Sequence, residues 1–273
     1  TNTNGSTYLY FCVRRKDGYV RKPVTTGTDV FSMVNGASST TLPTFTTNIP
    51  IDYYFYRQPD SSGNWYSGSR LTGATYLLMN EQNQFGNDSD AIWDFSNGMG
   101  QWTGNVSSFQ LWSFARHAGF DVQSWEGTNS SRVRRHNLGR TPEMIWFKNR
   151  SATRDWKVYH KGLNGGTNPE DYDIELNTTN AQASNTNYMT GTAPTSATFV
   201  AGNDDDTNGA SSNYIALLFA SVSGISKVGS YTGSGSSNTQ TITTGFQPRF
   251  VIIRDYTANI NHWYVMDTTR GWA

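Results

Sequence analysis

Residues 245–272 have the sequence GFQPRFVIIRDYTANINHWYVMDTTRGW, and residues 139–160 have the sequence GRTPEMIWFKNRSATRDWKVYH. Both stretches begin with a glycine that is followed, three positions later, by a proline and then by an apolar run. A basic residue, a polar gap and a Trp-x-Val triplet complete the pattern in each stretch. The shared order of residue types indicates a repeated structural unit.

The match extends upstream of both stretches. Gly127 and Gly139 are 12 positions apart, as are Gly233 and Gly245, and an aromatic residue stands two positions before the first glycine of each pair. Corresponding glycines in the two copies are 106 positions apart. A constant register over this length predicts an internal duplication.

A third and more divergent copy lies earlier in the chain. Gly36 and Asn48 are again 12 positions apart, and an apolar run, Arg57 and Trp65 follow in the same order. This copy departs from the pattern at Pro50, which stands two positions after Asn48 rather than three positions after a glycine. The order of the remaining residues still predicts the same unit.

The first residues of the chain resemble the end of a copy. Residues 4–13, NGSTYLYFCV, resemble residues 208–220, NGASSNYIALLFA. We therefore predict a closing strand and connector at residues 1–29, a divergent repeat at 30–119, a complete repeat at 120–226 and the truncated start of a further repeat at 227–273. This organisation predicts that the chain is a piece of a longer polypeptide.

The predicted strands near the two ends of the chain lack partners within their own parts. Unpaired strand edges are costly because backbone donors and acceptors need partners. We therefore expect residues 8–11 and 251–266 to pair with each other, with adjacent repeats or with neighbouring subunits, and the chain to aggregate or oligomerise. A fragment of residues 120–226, which holds one complete copy, is expected to behave better.

The apolar runs are short and rich in β-branched and aromatic residues, as in MIWF, FVIIR and YIALLFA, and turn sequences such as DSSGN and NDDDTNG separate them. This spacing is typical of strands in a two-layer β-sandwich. We predict an all-β protein of tandem β-sandwich repeats, each of about 105 residues. The one candidate for a short helix is TYLLMNEQNQF, at residues 75–85.

Composition argues against nucleic-acid binding, membrane insertion and an internal disulfide. Lys plus Arg equals Asp plus Glu, and charged residues make up only 15% of the chain, which argues against a nucleic-acid-binding surface. No stretch has the apolar length of a membrane span, so no membrane insertion is expected. Cys12 is the only cysteine, so no disulfide within the chain is possible.

Two features suggest binding sites. Trp65, Trp156 and Trp263 recur at the same place in each copy and could stack on sugars, although their strand setting favours a role as core anchors. The triplet of Asp204, Asp205 and Asp206 could hold calcium through its oxygens, but it lacks the spacing of a helix-loop-helix site. A solvated turn is the favoured interpretation of this triplet.

Other polar residues give no catalytic pattern. Arg132, Arg134 and His136 alternate on what we predict to be a charged edge strand. No two of the four histidines have metal-ligand spacing: His117, His136, His160 and His262. The acids Glu143, Asp155 and Glu170 have no consistent counterparts across the copies, as a duplicated catalytic site would require. We therefore predict a chain with no catalytic, cofactor-binding or metal-binding residues.

The order NYIALLFA, GISKVGSYTGSGSSNTQTITTGFQPRFVIIR and HWYVMDTTRG resembles a repeat of large structural proteins of tailed bacteriophages, especially marine and cyanobacterial phages. The resemblance is good over residues 120–273, moderate over residues 30–120 and loose over residues 4–13. It implies jelly-roll domains of the concanavalin-A-like kind in a noncatalytic protein of the virion, tail-fibre-like and used for host attachment. It transfers no catalytic or binding residue.

The partners expected from this resemblance are other virion subunits, including copies of the chain itself, and a glycan of the host surface. Two alternatives stay open: a glycan-binding lectin-like or carbohydrate-active domain, and a decoration protein bound to the capsid. Aromatic residues open to solvent would favour the lectin. A groove with two carboxylates about 5 to 9 Å apart would favour a glycosidase.

Overall fold

The computed structural model describes residues 24–38, 41–101, 106–235 and 240–271. These residues form eighteen strands and three short 3₁₀ turns, Gly27–Asp29, Leu163–Gly166 and Pro169–Asp171. Every pair of neighbouring strands is antiparallel. The predicted all-β class is confirmed. Within the described ranges, the structure has no helix with the length and apolar character needed to cross a bilayer.

Unit 1, residues 31–114, contains eight strands: β1 (Phe31–Asn35), β2 (Phe45–Thr46), β3 (Tyr53–Arg57), β4 (Tyr66–Ser69), β5 (Thr75–Leu78), β6 (Gly86–Asn87), β7 (Gly98–Met99) and β8 (Gln110–Phe114). Six of them form one sheet in the order β1-β8-β3-β4-β5-β6. The remaining strands, β2 and β7, pair with each other in a small separate sheet.

Unit 2, residues 120–219, also contains eight strands: β9 (Phe120–Glu126), β10 (Arg132–Arg135), β11 (Met144–Asn149), β12 (Lys157–His160), β13 (Tyr172–Glu175), β14 (Ala183–Ser184), β15 (Thr198–Ala201) and β16 (Asn213–Phe219). Its six-stranded sheet has the order β9-β16-β11-β12-β13-β14, and β10 pairs with β15. Counted from the start of each unit, the strands therefore follow the same order in both sheets.

Unit 3, residues 250–267, contains β17 (Phe250–Ile253) and β18 (Tyr264–Asp267), which form a two-stranded sheet. Phe250 pairs with Asp267, as Met144 pairs with His160 in the β11-β12 hairpin of unit 2. A tryptophan stands directly before the second strand of each hairpin. The two hairpins thus have the same local arrangement.

The central strands of each six-stranded sheet, β3 and β8 in unit 1 and β11 and β16 in unit 2, are buried on both faces. In unit 2, Ile145 and Phe147 of β11 pack with Phe199 of β15 in a cluster that contains residues of unit 2 alone. In unit 1, the corresponding cluster joins Phe45 of β2 and Met99 of β7 to the main sheet. The small two-stranded sheets therefore cover the outer faces, as the second layer of a sandwich does.

The inner faces meet in one shared core. This cluster draws buried residues from both units: Met33, Tyr53, Phe55, Leu77, Met79, Trp112 and Phe114 from unit 1, and Phe120, Val122, Trp146, Trp156, Val158, Ile215 and Leu217 from unit 2. Phe250, Ile252 and Trp263 of unit 3 pack against it. The three units therefore surround a common apolar centre.

The structure corrects the short helix predicted at residues 75–85. Thr75–Leu78 is strand β5, in which Leu77 and Leu78 are buried. Leu77, Leu78 and Met79 are consecutive and lack a helical period, and Leu77 and Leu78 pair with β4. The predicted strand in residues 4–13 and Cys12 lie outside the described residues.

Candidate functional site

A concave polar region lies at the edge of the unit 2 sheet. A pocket of about 200 Å³ is lined by side chains of β12, β13 and the segment around β14. Its polar lining residues are Lys157, Asp173, Glu175, Asn180, Ser184 and Asn185. The sheet order places β12 and β13 side by side, so their charged side chains converge.

Lys157 is the centre of this polar region. Its Nζ lies 2.8 Å from Oε1 of Glu175, 3.5 Å from Oδ1 of Asp173 and 3.8 Å from Oδ2 of Asp206. Burial alone would lower the pKa of Lys157, but the three carboxylates outweigh it and raise the pKa above its ordinary value. Lys157 is therefore charged at neutral pH and holds two strands and a loop together.

The carboxylates around Lys157 have further partners. Oε2 of Glu175 accepts hydrogen bonds from Thr178 Oγ1 at 2.8 Å and from Asn180 Nδ2 at 3.0 Å. Burial would raise the pKa of Glu175, but these hydrogen bonds and Lys157 lower it overall. Asp173 accepts a hydrogen bond from Asn185 Nδ2 at 2.7 Å, yet burial keeps its pKa raised. The charges of the pocket are thus satisfied by one another.

The triplet of aspartates borders the same region, and its members differ. Asp204 stabilises its own turn by accepting a hydrogen bond from the backbone N–H of Asp206 at 2.7 Å. Asp205 is exposed and pairs with Arg154 at 2.6 Å. Burial and the neighbouring Asp204 raise the pKa of Asp206 to about 6. The prediction of a solvated turn therefore describes Asp205 but is wrong for Asp206, because a long-range contact with β12 covers it.

In the part of the chain that the structure describes, no group of three or more His, Cys, Asp or Glu side chains is arranged to hold a metal ion. The histidines lie in different settings. Nε2 of His136 lies 3.1 Å from the carbonyl oxygen of Thr195, and Nδ1 of His160 accepts a hydrogen bond from the N–H of Gly162 at 3.0 Å. Burial lowers the pKa of His160 to about 4, so this ring is neutral at pH 7. His117 is buried and His262 is exposed.

The acids considered for catalysis are engaged separately. Glu143 pairs with Lys161 and accepts the N–H of Ser221 at 2.5 Å, beside a second concave region of about 360 Å³. Asp155 accepts hydrogen bonds from Gln82 and Asn177, each at 2.7 Å. Glu170 lies in the Pro169–Asp171 turn. Glu143 and Asp155 therefore have different partners, and each is held by hydrogen bonds of its own.

The basic stretch forms strand β10, which pairs with β15. The guanidinium of Arg134 lies 4.9 Å from the ring centre of Trp125, and Val133 is 68% exposed. Arg134 therefore packs over an aromatic ring of its own unit, and His136 beyond the strand is buried. Of the three residues predicted to alternate, Arg134 and His136 are more covered than Val133 and Arg135, whereas Arg132 is exposed.

The tryptophans of the repeated pattern connect one unit to the preceding unit. Trp156 Nε1 of unit 2 donates to the carbonyl of Leu78 in unit 1 at 2.8 Å. Trp263 Nε1 of unit 3 donates to the carbonyl of Glu175 in unit 2 at 3.0 Å. Leu78 and Glu175 are the last residues of β5 and β13, which hold the same place in their sheets. Trp156 is fully buried, whereas Trp65 and Trp263 are half-buried.

Backbone hydrogen bonds repeat at both junctions as well. The N–H of Phe85 donates to Arg150 O at 2.8 Å between units 1 and 2, and the N–H of Gln182 donates to Tyr256 O at 2.8 Å between unit 2 and the β17-β18 loop. Sequence reasoning missed these junctions, since it placed the tryptophans inside single units. The recurrence of Trp-x-Val indicates that the tryptophans have equivalent roles. It does not indicate that their hydrogen-bond acceptors lie in the preceding unit.

The basic residue of the pattern also reaches the preceding unit. Lys148 Nζ donates to the carbonyl of Gln82 at 2.8 Å, and Arg254 donates to the carbonyl of Thr178 at 2.9 Å. Burial lowers the pKa of Lys148 to about 8. Both acceptors lie in the loop after the fifth strand of the preceding unit. The loop's carbonyls thus gain charged donors, which form stronger hydrogen bonds than neutral ones.

Comparison with known proteins identifies one family. A family model described as "Domain of unknown function (DUF7483)" matches residues 69–272, about three quarters of the chain. No curated protein and no solved structure matches the chain. The chain therefore belongs to the DUF7483 family.

Proposed function

We propose that the chain is a noncatalytic structural component of a phage virion, in which β-sandwich units follow one another in tandem as part of a tail fibre or fibre-like appendage that serves host attachment. The observation that carries this proposal is the recurrence of one set of contacts at both junctions. The same tryptophan, the same backbone hydrogen bond and the same basic position join unit 2 to unit 1 and unit 3 to unit 2.

The likeness of the units supports an origin by duplication. Units 1 and 2 have the same strand order, and unit 3 has the hairpin that lies at the centre of that order. A six-stranded sheet with a smaller second layer on its outer face is compatible with a jelly-roll sandwich of the concanavalin-A-like kind. Unit 3 also contacts unit 1, where Trp112 Nε1 donates to Oδ2 of Asp267 at 3.2 Å, so the three units form one block that would be a single segment of such an appendage.

The electrostatics support a structural role. The charged groups of the Lys157 pocket are paired with one another. A catalytic site needs an acid, base or nucleophile that is free to act on a substrate. The proposed partners are other virion subunits, including further copies of this chain, with a host surface glycan at the exposed end of the appendage.

One observation bears on the lectin-like alternative. Among the described residues, every tryptophan is buried or half-buried, and the exposed aromatic residues are Tyr231 and Tyr264. Platforms for sugars need an open aromatic face, which the buried Trp156 does not offer. The structural role is therefore the better-supported proposal.

Labelling of intact particles tests the proposed function. Gold-conjugated antibodies against residues 120–226 are applied to purified particles of the phage that encodes the chain, and the label is located by electron cryotomography. We expect gold on a tail appendage. Label over the capsid face would instead support a decoration protein, and particles that lack the chain by mass spectrometry would overturn the proposal.

A further inference from the structure

The Lys157 pocket brings one amine and two carboxyl groups into contact below the surface of unit 2. Lys157 of β12 pairs with Glu175 of β13, so Asp173 is its diagonal neighbour on the same face of the sheet. Long side chains reach such diagonal neighbours. The side chains of Lys157, Asp173 and Glu175 are 12%, 4% and 13% exposed. The three groups are therefore close enough, and dry enough, to react with one another.

The pairing of these two strands does not need charged residues at this place. In unit 1, Tyr66 of β4 pairs with Leu78 of β5 as Lys157 pairs with Glu175 in unit 2. The rings of Tyr66 and its diagonal neighbour Tyr76 lie 5.4 Å apart. A buried group of ions is weak evidence for stability, because taking each charge out of water is costly. The charged groups of unit 2 therefore point to a role other than strand pairing.

The surroundings give the two carboxyl groups different chemical roles. Burial raises the pKa of Asp173, so this group takes up a proton more readily than an exposed aspartate does. Burial would also raise the pKa of Glu175, but hydrogen bonds from Lys157 and Thr178 lower it, so Glu175 stays ionised. Asp173 is consequently the carboxyl group that can lose its hydroxyl as water. Glu175, whose Oε1 lies 2.8 Å from Nζ of Lys157, is the base that can accept a proton.

The position of Asp173 suits attack by the amine of Lys157. Oδ1 of Asp173 lies 3.5 Å from Nζ, so the nitrogen already rests against the carboxyl group. The other oxygen, Oδ2, accepts a hydrogen bond from Nδ2 of Asn185 at 2.7 Å. A donor at this place stabilises the negative charge that develops on the oxygen when the carboxyl carbon is attacked. Asn185 thus distinguishes the oxygen that stays from the oxygen that leaves.

We propose that Lys157 and Asp173 condense once to form an isopeptide bond, with Glu175 as the proton carrier, so that β12 and β13 become covalently joined. The charged pair first transfers a proton from Nζ to Oδ1 of Asp173, which gives an amine and a carboxylic acid without a proton from solvent. Burial favours this neutral pair, because it disfavours the charged forms of both groups. The amine then attacks Cγ of Asp173.

The remaining steps balance within the chain. As the bond between Nζ and Cγ forms, Glu175 accepts a proton from the nitrogen. Glu175 returns this proton to the hydroxyl group at Oδ1, the bond between Cγ and Oδ1 breaks, and one water molecule leaves. The product is an amide whose oxygen is Oδ2, and Glu175 is ionised again. Nothing is oxidised or reduced, and the chain supplies every reacting group.

The mass of the unmodified chain tests this proposal directly. After incubation at neutral pH and unfolding in denaturant, residues 1–273 should have the sequence mass less one water molecule. Trypsin should not cut after Lys157, and the peptide that contains Lys157 should stay attached to the peptide that contains Asp173. A succinimide also forms with loss of water, but mild base opens it. The mass deficit of the isopeptide should survive treatment with mild base.

Three variants separate the covalent bond from simple ion pairing. Lys157→Arg keeps the positive charge, but its guanidinium stays protonated and does not attack a carboxyl group. Glu175→Gln keeps the size of the side chain but accepts no proton. Both variants should have their full sequence masses. Asp205→Asn, which removes only the exposed ion pair with Arg154, is the matched control and should lose one water molecule as the unmodified chain does.

The full sequence mass for the unmodified chain would overturn the proposal, whether or not the variants fold. Loss of water that persists in Lys157→Arg or in Glu175→Gln would overturn it as well. So would a branched peptide that joins Lys157 to Glu175 or to Asp206, whose Oδ2 lies 3.8 Å from Nζ. The mass and the linked peptides belong to the chain alone, so the result does not depend on the virion role.

Discussion

At the residue scale, backbone conformation explains the recurring glycines. Gly139 has a φ of +67° and Gly245 a φ of +83°, the left-handed region in which side chains with a Cβ are strained. The divergent copy has Asn48 at this place, with a φ of +60°. Asparagine is the non-glycine residue that tolerates this conformation best. The departure of the third copy from the glycine pattern is therefore physically conservative.

Substitution at Gly139 separates this conformational effect from packing. No atom lies within 4 Å of the place where a Cβ would stand. We expect Gly139→Ala to lower the free energy of unfolding by about 1 kcal/mol through strain alone, and Gly139→Asn to cost less. Urea unfolding monitored by tryptophan fluorescence measures both. Gly229→Ala, also in open space but without a positive φ, is the control and should not destabilise the protein.

Asp206 gives the chain a defined response to pH. Its pKa is raised from 3.8 to about 6 by burial and by Asp204, while Lys157 and Arg154 oppose the rise. The folded state therefore binds a proton more tightly than the unfolded state does. As the pH falls from about 6 to about 4, protonation of Asp206 progressively raises the free energy of unfolding. Above about pH 6 the carboxylate is ionised in the folded state, and its destabilising effect is complete.

The Asp206→Asn variant removes that effect at neutral pH. We expect its free energy of unfolding at pH 7.5 to exceed that of the unmodified chain by about 1–3 kcal/mol, and the difference to shrink towards pH 4. Chemical unfolding at a series of pH values measures it. Asp205→Asn, which removes an exposed ion pair, should change stability by less than about 1 kcal/mol. A pH-independent difference for Asp206→Asn would contradict the assignment.

At the element scale, the longer strands were predictable and their order was not. The runs MIWF and YIALLF have the short length and composition of strands, and both are strands in the structure. The two-residue strands β2 and β7 have no such signal, because their pairing depends on the sheet that they cover. The order of strands in a sheet depends on contacts between distant segments, which periodicity along the chain does not contain.

A glycine follows the first strand of units 1 and 2 because neighbouring backbone leaves no space there for a Cβ. A Cβ on Gly127 would lie 2.0 Å from the carbonyl oxygen of Gly209, and one on Gly36 would lie 2.2 Å from that of Val106. The counterpart Gly233 has nothing within 4 Å. The close approach in units 1 and 2 comes from segments next to the last strand, which have no described counterpart beside Gly233.

Alanine substitution at the two glycines should therefore give different results. We expect Gly127→Ala to lower the free energy of unfolding by about 1–3 kcal/mol, because the backbone must shift and strain its hydrogen bond to Ser212 O. Gly233→Ala should change it by less than about 0.5 kcal/mol. Thermal melting of both variants measures the difference. Equal destabilisation would mean that the carbonyl of Gly209 does not approach Gly127 this closely.

At the scale of the whole molecule, the shared core was the feature that sequence reasoning missed. Trp146 and Leu217 have the alternation expected of any sandwich interior, so their sequence does not tell whether the opposing layer belongs to the same unit. The structure places them against residues of unit 1. The same limitation applies to Asp206, because Lys157, whose Nζ lies 3.8 Å from its Oδ2, is distant from it in the sequence.

The shared core reverses the expectation for an isolated copy. The fragment of residues 120–226 was expected to behave better than the full chain, because it contains one complete set of strands. Separated from unit 1, it would expose the inner face of its sheet, which consists of Phe120, Val122, Trp146, Trp156, Val158, Ile215 and Leu217. Burying a large apolar side chain is worth about 1.5–3 kcal/mol, so exposing this face forfeits on the order of 10 kcal/mol. That amount is comparable to the whole stability of a typical domain, which is about 5–15 kcal/mol.

We therefore expect the 120–226 fragment to self-associate or to lose its fixed tertiary structure, while residues 1–273 remain better behaved. Multi-angle light scattering and binding of a hydrophobic dye measure the two together at matched concentrations. Adding Trp146→Gln and Leu217→Gln to the fragment should reduce its association by making the exposed face polar, whereas the same changes in the full chain should destabilise it, because they bury polar groups in the shared core. A monodisperse, monomeric fragment that binds no dye would mean that unit 2 packs its inner face without unit 1, and that the common core is not what holds the units together.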